Sequence, residues 1–147
     1  MARRWWPPAA ALLLAGCIPN AVLDEGQVRG ATQLHFGSAR FPLEVGPVVI
    51  SGDHAIADWT QAEFGGRALF ERSGRNWALV LCSGDSIRNA ANLKRAGVPD
   101  FSADRIATRL AEAEAALPPE RLKRMRRFVG TAQDHEKYLV GLEANRQ

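Results

Sequence analysis

Between Leu43 and Cys82 the apolar positions come in short runs divided by turn residues, and beyond Ser86 their spacing lengthens to that of helices. Leu43, Val45, Val48, Val49 and Ile50 predict a strand, and Ser51-Gly52-Asp53-His54 supplies the two-residue centre of a hairpin. The next strand sets Ala55, Ala57 and Trp59 on one face and His54, Asp58 and Thr60 on the other. Gly65-Gly66 reads as a break, Arg67–Arg72 as a third strand, and Ser73-Gly74-Arg75-Asn76 as a second hairpin turn. Asn76–Cys82 is apolar on both faces, with Trp77, Leu79 and Leu81 on one side and Ala78, Val80 and Cys82 on the other, the pattern of a covered strand.

Helices are predicted on either side of these strands. Asp24–Phe36 groups Val28, Ala31, Thr32, Leu34 and His35. After Cys82, Asp85 is placed to cap a helix reaching Ala96, with Gly97 as its terminator and Pro99 preventing continuation. Ser102 caps a second helix with Ile106, Leu110, Ala113 and Leu117 at helical spacing. Pro118-Pro119-Glu120 opens a third, with Leu122, Met125 and Val129 inward and Phe128 beside them, and Glu136–Ala144 is either a further helical piece or a frayed end. The fold expected is α+β: an N-terminal helix, a four-stranded antiparallel meander resembling the cystatin-like arrangement, and three C-terminal helices.

The first residues change the picture of where such a domain works. Arg3 and Arg4 precede the apolar run Ala9–Ala15, and Leu14-Ala15-Gly16-Cys17 has the form of a lipobox, so residues 1–16 read as a lipoprotein signal peptide and Cys17 as the lipidation site. The rival reading is an ordinary secretory signal cut elsewhere; both export the chain. The expected division is a signal over 1–16, a tether over 17–23 and one domain over 24–147. The address is the periplasm with a lipid anchor, weighted toward the outer membrane because Ile18, not an aspartate, follows Cys17.

Cleavage removes two of the nineteen basic residues and none of the sixteen acidic ones, leaving 131 residues with a net charge of +1. That suffices for one domain and excludes a general electrostatic attraction to nucleic acid. Once Cys17 is lipidated, Cys82 is the single remaining thiol. Two readings of it stay open: a small buried hydrophobe, or a soft ligand which, with the His54 imidazole, suits copper. Asp53, Asp58 and Asp85 are possible oxygen donors, each with a structural role as the default, and His35 and His135 read as surface residues. Trp59 and Trp77 read as core. No nucleophile elbow, paired-cysteine zinc pattern, phosphate loop or dinucleotide fingerprint occurs, so no enzymatic activity is expected. Arg121, Lys123, Arg124, Arg126 and Arg127 concentrate charge on one helix, either a solvated face or a surface attracted to anionic head groups.

The stretch Val48–Gln61, then Gly65–Phe70 and Trp77–Asp85, resembles the proteobacterial copper uptake system-associated protein family, and the likeness extends through Ala96–Pro99 and Glu114–Arg121. The matching positions include Gly52-Asp53, Trp59, Gln61, Gly65-Gly66-Arg67, Trp77 and Leu81–Asp85. The resemblance implies a small exported protein working beside copper-import membrane proteins, with no assigned activity and no ligand residue. The leading expectation is therefore an accessory protein for copper uptake that binds Cu(I) transiently through Cys82 and His54. The alternative is a metal-free interaction or assembly module at the periplasmic membrane surface. A small hydrolase or isomerase using His54, Asp58 and Glu71 ranks last, since it needs a polar-lined pocket.

Overall fold

The computed structural model describes residues 20–128; the expected signal peptide over 1–16, Cys17, Val129, His135 and the 136–144 segment lie outside them. The chain runs α1 (Asn20–Phe36), β1 (Leu43–Ser51), β2 (His54–Gln61), β3 (Phe64–Ser73), β4 (Asn76–Ser83), a 3-10 turn (Asp85–Arg88), α2 (Ala90–Arg95), α3 (Asp100–Glu114) and α4 (Pro119–Met125). The four strands form one antiparallel sheet in sequential order. The α+β architecture, with a helix, a meander and three further helices, is thus the one expected from the sequence.

Gly52 (φ +59°) and Gly74 (φ +61°) take the left-handed conformation at the centres of two hairpins, where a side chain would be strained. The third hairpin turns at Ala62-Glu63, with Ala62 at φ +49°. Gly65 and Gly66 are not a break: they lie inside β3, opposite Thr60 and Trp59. A Cβ on Gly65 would come within 2.7 Å of the Trp59 carbonyl oxygen and 3.1 Å of the Met125 Cα. One on Gly66 would meet Phe128 and the Ser83 carbonyl oxygen, each at 3.1 Å. The pair is there for close packing, which strand sequences also record with glycine.

Both faces of the sheet are covered. One carries Ala55, Ala57, Trp59, Ala68, Phe70, Trp77 and Cys82, packed against Val28 and Phe36 of α1 and against Phe128. Phe36 stacks on Trp59 with centroids 4.6 Å apart, and Phe128 meets the same indole edge-on at 5.7 Å. The other face carries Val49, Ile56 and Leu69, covered by Ile87, Leu93, Val98, Ala103, Ile106 and Leu110. Every residue of β2 is buried, so its alternation distinguishes two covered faces instead of a wet and a dry one.

Several local expectations change. The helix α1 already includes Asn20, the first described residue and part of the expected tether, and buries Val28, Thr32 and Phe36, whereas Leu34 is 84% exposed. At about 100° per residue Leu34 points away from Val28. The single helix expected after Cys82 divides into the 3-10 turn and α2, whose cap is Asn89 accepting from the Ala91 amide at 2.7 Å. Asp85 makes no capping bond. Ser102 is not a cap either: α3 starts two residues earlier, and the Ser102 hydroxyl instead meets that of Ser51 at 3.4 Å.

Candidate functional site

The structure does not bring Cys82 and His54 together. Cys82 pairs across β3 with Ala68, and His54 pairs with Glu71, three residues further along the same strand. Two strand spacings and three residues of rise separate their Cα atoms by roughly 14 Å. They also occupy opposite faces. The register of β3 and β4 slips between Leu69 and Phe70, whose partners are Leu81 and Leu79, so Val80 is an extra residue in β4. Below this bulge the alternation inverts. Leu81 packs toward α3, and Cys82 joins Trp77 and Leu79 on the α1 face.

The thiol is sealed there. Trp59 Nε1 donates to Cys82 Sγ at 3.4 Å, and burial pushes the thiol pKa up to about 12, with the indole and Ser83 backbone bonds opposing the rise. A neutral, indole-bonded thiol is a poor soft ligand, because metals take the thiolate. His54 is 8% exposed and has Glu71 Oε1 at 3.9 Å. Among the described residues no three His, Cys, Asp or Glu side chains converge as metal ligands.

The basic residues of α4 are largely spent within the domain. Arg121, 7% exposed, pairs with Glu44 at 2.8 Å and donates to the Gly46 carbonyl. Arg124 donates to Ala62 O at 3.1 Å, Arg127 meets Glu63 Oε2 at 3.3 Å, and Arg126 pairs with Asp85 at 3.2 Å. Of the five, Lys123 alone is exposed without a partner among the described residues. These arginines fasten α4 to the hairpin ends of the sheet, in place of the continuous charged face expected.

The polar centre of the molecule lies elsewhere, around Arg67. This guanidinium is 1% exposed and sits in β3 opposite Asp58 of β2. Its Nε donates to Glu114 Oε1 at 2.6 Å, and its Nη1 donates to Gly84 O at 3.0 Å and Asp85 Oδ1 at 3.1 Å. Arg88 Nε lies 2.7 Å from the other Glu114 oxygen, an ion pair without the alignment of a hydrogen bond. Asp58, fully buried, has Arg67 Nε no closer than 3.8 Å and receives no N–H or O–H donor from the described residues at either oxygen. Burial and the facing Glu114 carboxylate raise its pKa to about 8, against the opposing pull of Arg67 and Arg121. One cluster therefore joins β2, β3, the 3-10 turn, α3 and the end of α4.

Reading the sequence missed Arg67 and Glu114. Their signal was present: Ile106, Leu110 and Glu114 continue one stripe at four-residue spacing, so a charge falls where the next core residue belongs. Asp58 and Arg67 likewise place charges inside buried runs of β2 and β3.

The described surface carries shallow clefts. One of about 350 Å³ lies between α1 and β1, lined by Ala21, Asp24, Glu25, Val48, Ile50 and Arg109; another, of about 420 Å³, follows the outer side of α3 from Phe101 to Glu112. Neither reaches Asp58 or Cys82. The outer side of α1 is different in kind. Leu23, Gly26, Gly30 and Leu34 fall within an arc of about 80°, Leu23 is 48% and Leu34 84% exposed, and a Cβ on either glycine would touch nothing within 4 Å. Among the described residues no helix is long and apolar enough to cross a membrane. The chain matches no family model, no curated protein and no solved structure.

Proposed function

We propose that the protein is a metal-free docking module, exported and held at the periplasmic membrane surface by lipid on Cys17, that works beside copper-import membrane proteins without taking copper itself. The observation that carries this reading is the outer side of α1. Two glycines in the interior of a helix each cost about 1 kcal/mol relative to alanine. Gly26 and Gly30 incur that cost on a face where none of the described residues makes use of their smallness. Between exposed Leu23 and Leu34 they form a flat strip on which another helix can pack closely.

Position adds to it. Asn20, already helical, is three residues from Cys17, so an anchor there keeps this helix next to the bilayer and to proteins embedded in it. The copper-uptake context comes from the resemblance over Val48–Asp85. The sealed Cys82 and its separation from His54 favour the docking role over the Cu(I) role.

The test is affinity capture from solubilised membranes with Leu23→Glu and Leu34→Glu variants. Copper-import membrane proteins captured by the native chain and lost in both variants, with helix content and urea midpoint unchanged, support the reading. Equal capture by native and variant chains sinks it.

A further inference from the structure

The Asp58–Glu114 pair performs no task in the docking role. Both carboxyl groups are at most 1% exposed and converge on one nitrogen, Arg67 Nε, which lies 2.6 Å from Glu114 Oε1 and 3.8 Å from Asp58 Oδ1. Neither Asp58 oxygen accepts a bond from any N–H or O–H group of the described residues, and the nearest guanidinium nitrogen, Arg67 Nε, is committed to Glu114 at 2.6 Å. Two ionised carboxylates cannot occupy such a place without a donor between them, whereas one proton shared by the pair supplies it.

We infer that this shared proton is a latch: with it in place the last turn of α3 is clamped to β2 and β3, and its loss to water releases that end of the helix. The geometry makes the pair decisive for more than one element. Glu114 is the final residue of α3; one oxygen accepts from Arg67 of β3, and the other is ion-paired with Arg88 of the 3-10 turn without a hydrogen bond. The loop after β4 adds Asp85, itself bound by Arg67 and by Arg126 at the end of α4. From α4, Arg121 also acts on Asp58, and the nearest charge on β1, Glu44, is already paired with Arg121. The surrounding cations thus have carboxylate partners of their own, and Asp58 is left to the proton.

The direction of the response follows from which state holds the proton more strongly. The closed arrangement keeps it up to about pH 8, while an Asp58 exposed to water would release it near its ordinary value of 3.8. Opening therefore becomes easier as pH rises from about 4 to about 8, by as much as about tenfold per pH unit, and levels off above that. Asp85, 47% exposed at its side chain, marks the side on which water can reach the cluster.

The experiment is hydrogen exchange on the full chain between pH 5 and 9, corrected for the intrinsic pH dependence of exchange, beside the Asp58→Asn variant. The amide of asparagine donates to Glu114 at every pH and imitates the protonated acid. Native amides in the last turn of α3 and in β2 near Asp58 are expected to lose protection about tenfold per pH unit up to pH 8, with those of Asp58→Asn flat. A parallel carboxyl-carbon NMR titration of the native chain keeps the test independent of the variant's folding. An Asp58 resonance titrating near 4, or a variant with the native pH response, overturns the latch. Capture of membrane partners does not enter either readout, so failure of the docking reading leaves this result distinguishable.

Discussion

Trp59 Nε1 and Cys82 Sγ meet at 3.4 Å although a whole strand lies between their backbones. The contact is possible because β3 presents Gly66 and Ala68 beneath the indole, so nothing larger than a methyl stands in its way. The thiol thereby gains a polar partner without water, and the indole, clamped between Phe36 and Phe128, fixes its position.

Native Cys82 is accordingly expected to resist alkylation. With a thiol pKa pushed up to about 12, less than about one part in a thousand is thiolate at pH 8, and the residue is only 7% exposed. Iodoacetamide labelling followed by mass spectrometry should track global unfolding in urea. Rapid modification of the folded protein contradicts the burial argument.

Copper binding offers a second check. Cu(I) competition titrations of the native chain, Cys82→Ala and His54→Ala should give the same affinity within error, since the two side chains occupy opposite faces of the sheet. A tenfold loss in either variant restores the metal reading.

Glycine substitutions should split by location. Gly66→Ala pushes a methyl against Phe128 and the Ser83 carbonyl and is expected to cost about 1–3 kcal/mol. Gly30→Ala meets open space in a helix and should gain about 1 kcal/mol. Urea midpoints measure both, and the docking role adds that Gly30→Ala weakens partner capture while stabilising the fold.

Removing the buried guanidinium should be severe. Arg67→Met strips Glu114 and Asp85 of a partner and is expected to cost about 3–5 kcal/mol, the scale for one half of a buried ion pair. A loss under 1 kcal/mol in chemical denaturation shows the cluster to be dispensable.

Stability should also fall as pH rises. The folded state raises the Asp58 pKa from 3.8 to about 8, so it binds more protons than the unfolded chain throughout that window. The stabilisation is complete below about pH 4 and drains away toward pH 8, at no more than about 1.4 kcal/mol per pH unit from this group. Asp58→Asn should remove this component of the slope and be the more stable protein at pH 8; urea unfolding at pH 5, 6.5 and 8 measures it.

Much of the secondary structure was legible because it depends on neighbours in sequence. Turn residues at Gly52 and Gly74, alternation in β2 and the proline that opens α4 each act within a few positions. The Gly65-Gly66 pair was misread because its meaning lies in Met125 and Phe128, some sixty residues away. The side of Cys82 was misread because period-two counting presumes an unbroken register, and the bulge at Val80 adds one residue and reverses everything after it.

The arginines of α4 show the same boundary. A run of like charges in sequence reads as a solvated face, yet Glu44 and the Gly46 carbonyl of β1, Glu63 and the Ala62 carbonyl of the β2–β3 turn, and Asp85 after β4 wait for it. Local pattern, through backbone preference and apolar period, determined that this protein has a meander flanked by helices. Which polar groups lie together was decided only when α3 closed over the sheet, because Asp58, Arg67 and Glu114 gain their chemistry from shared burial, and burial is a property of the assembled fold.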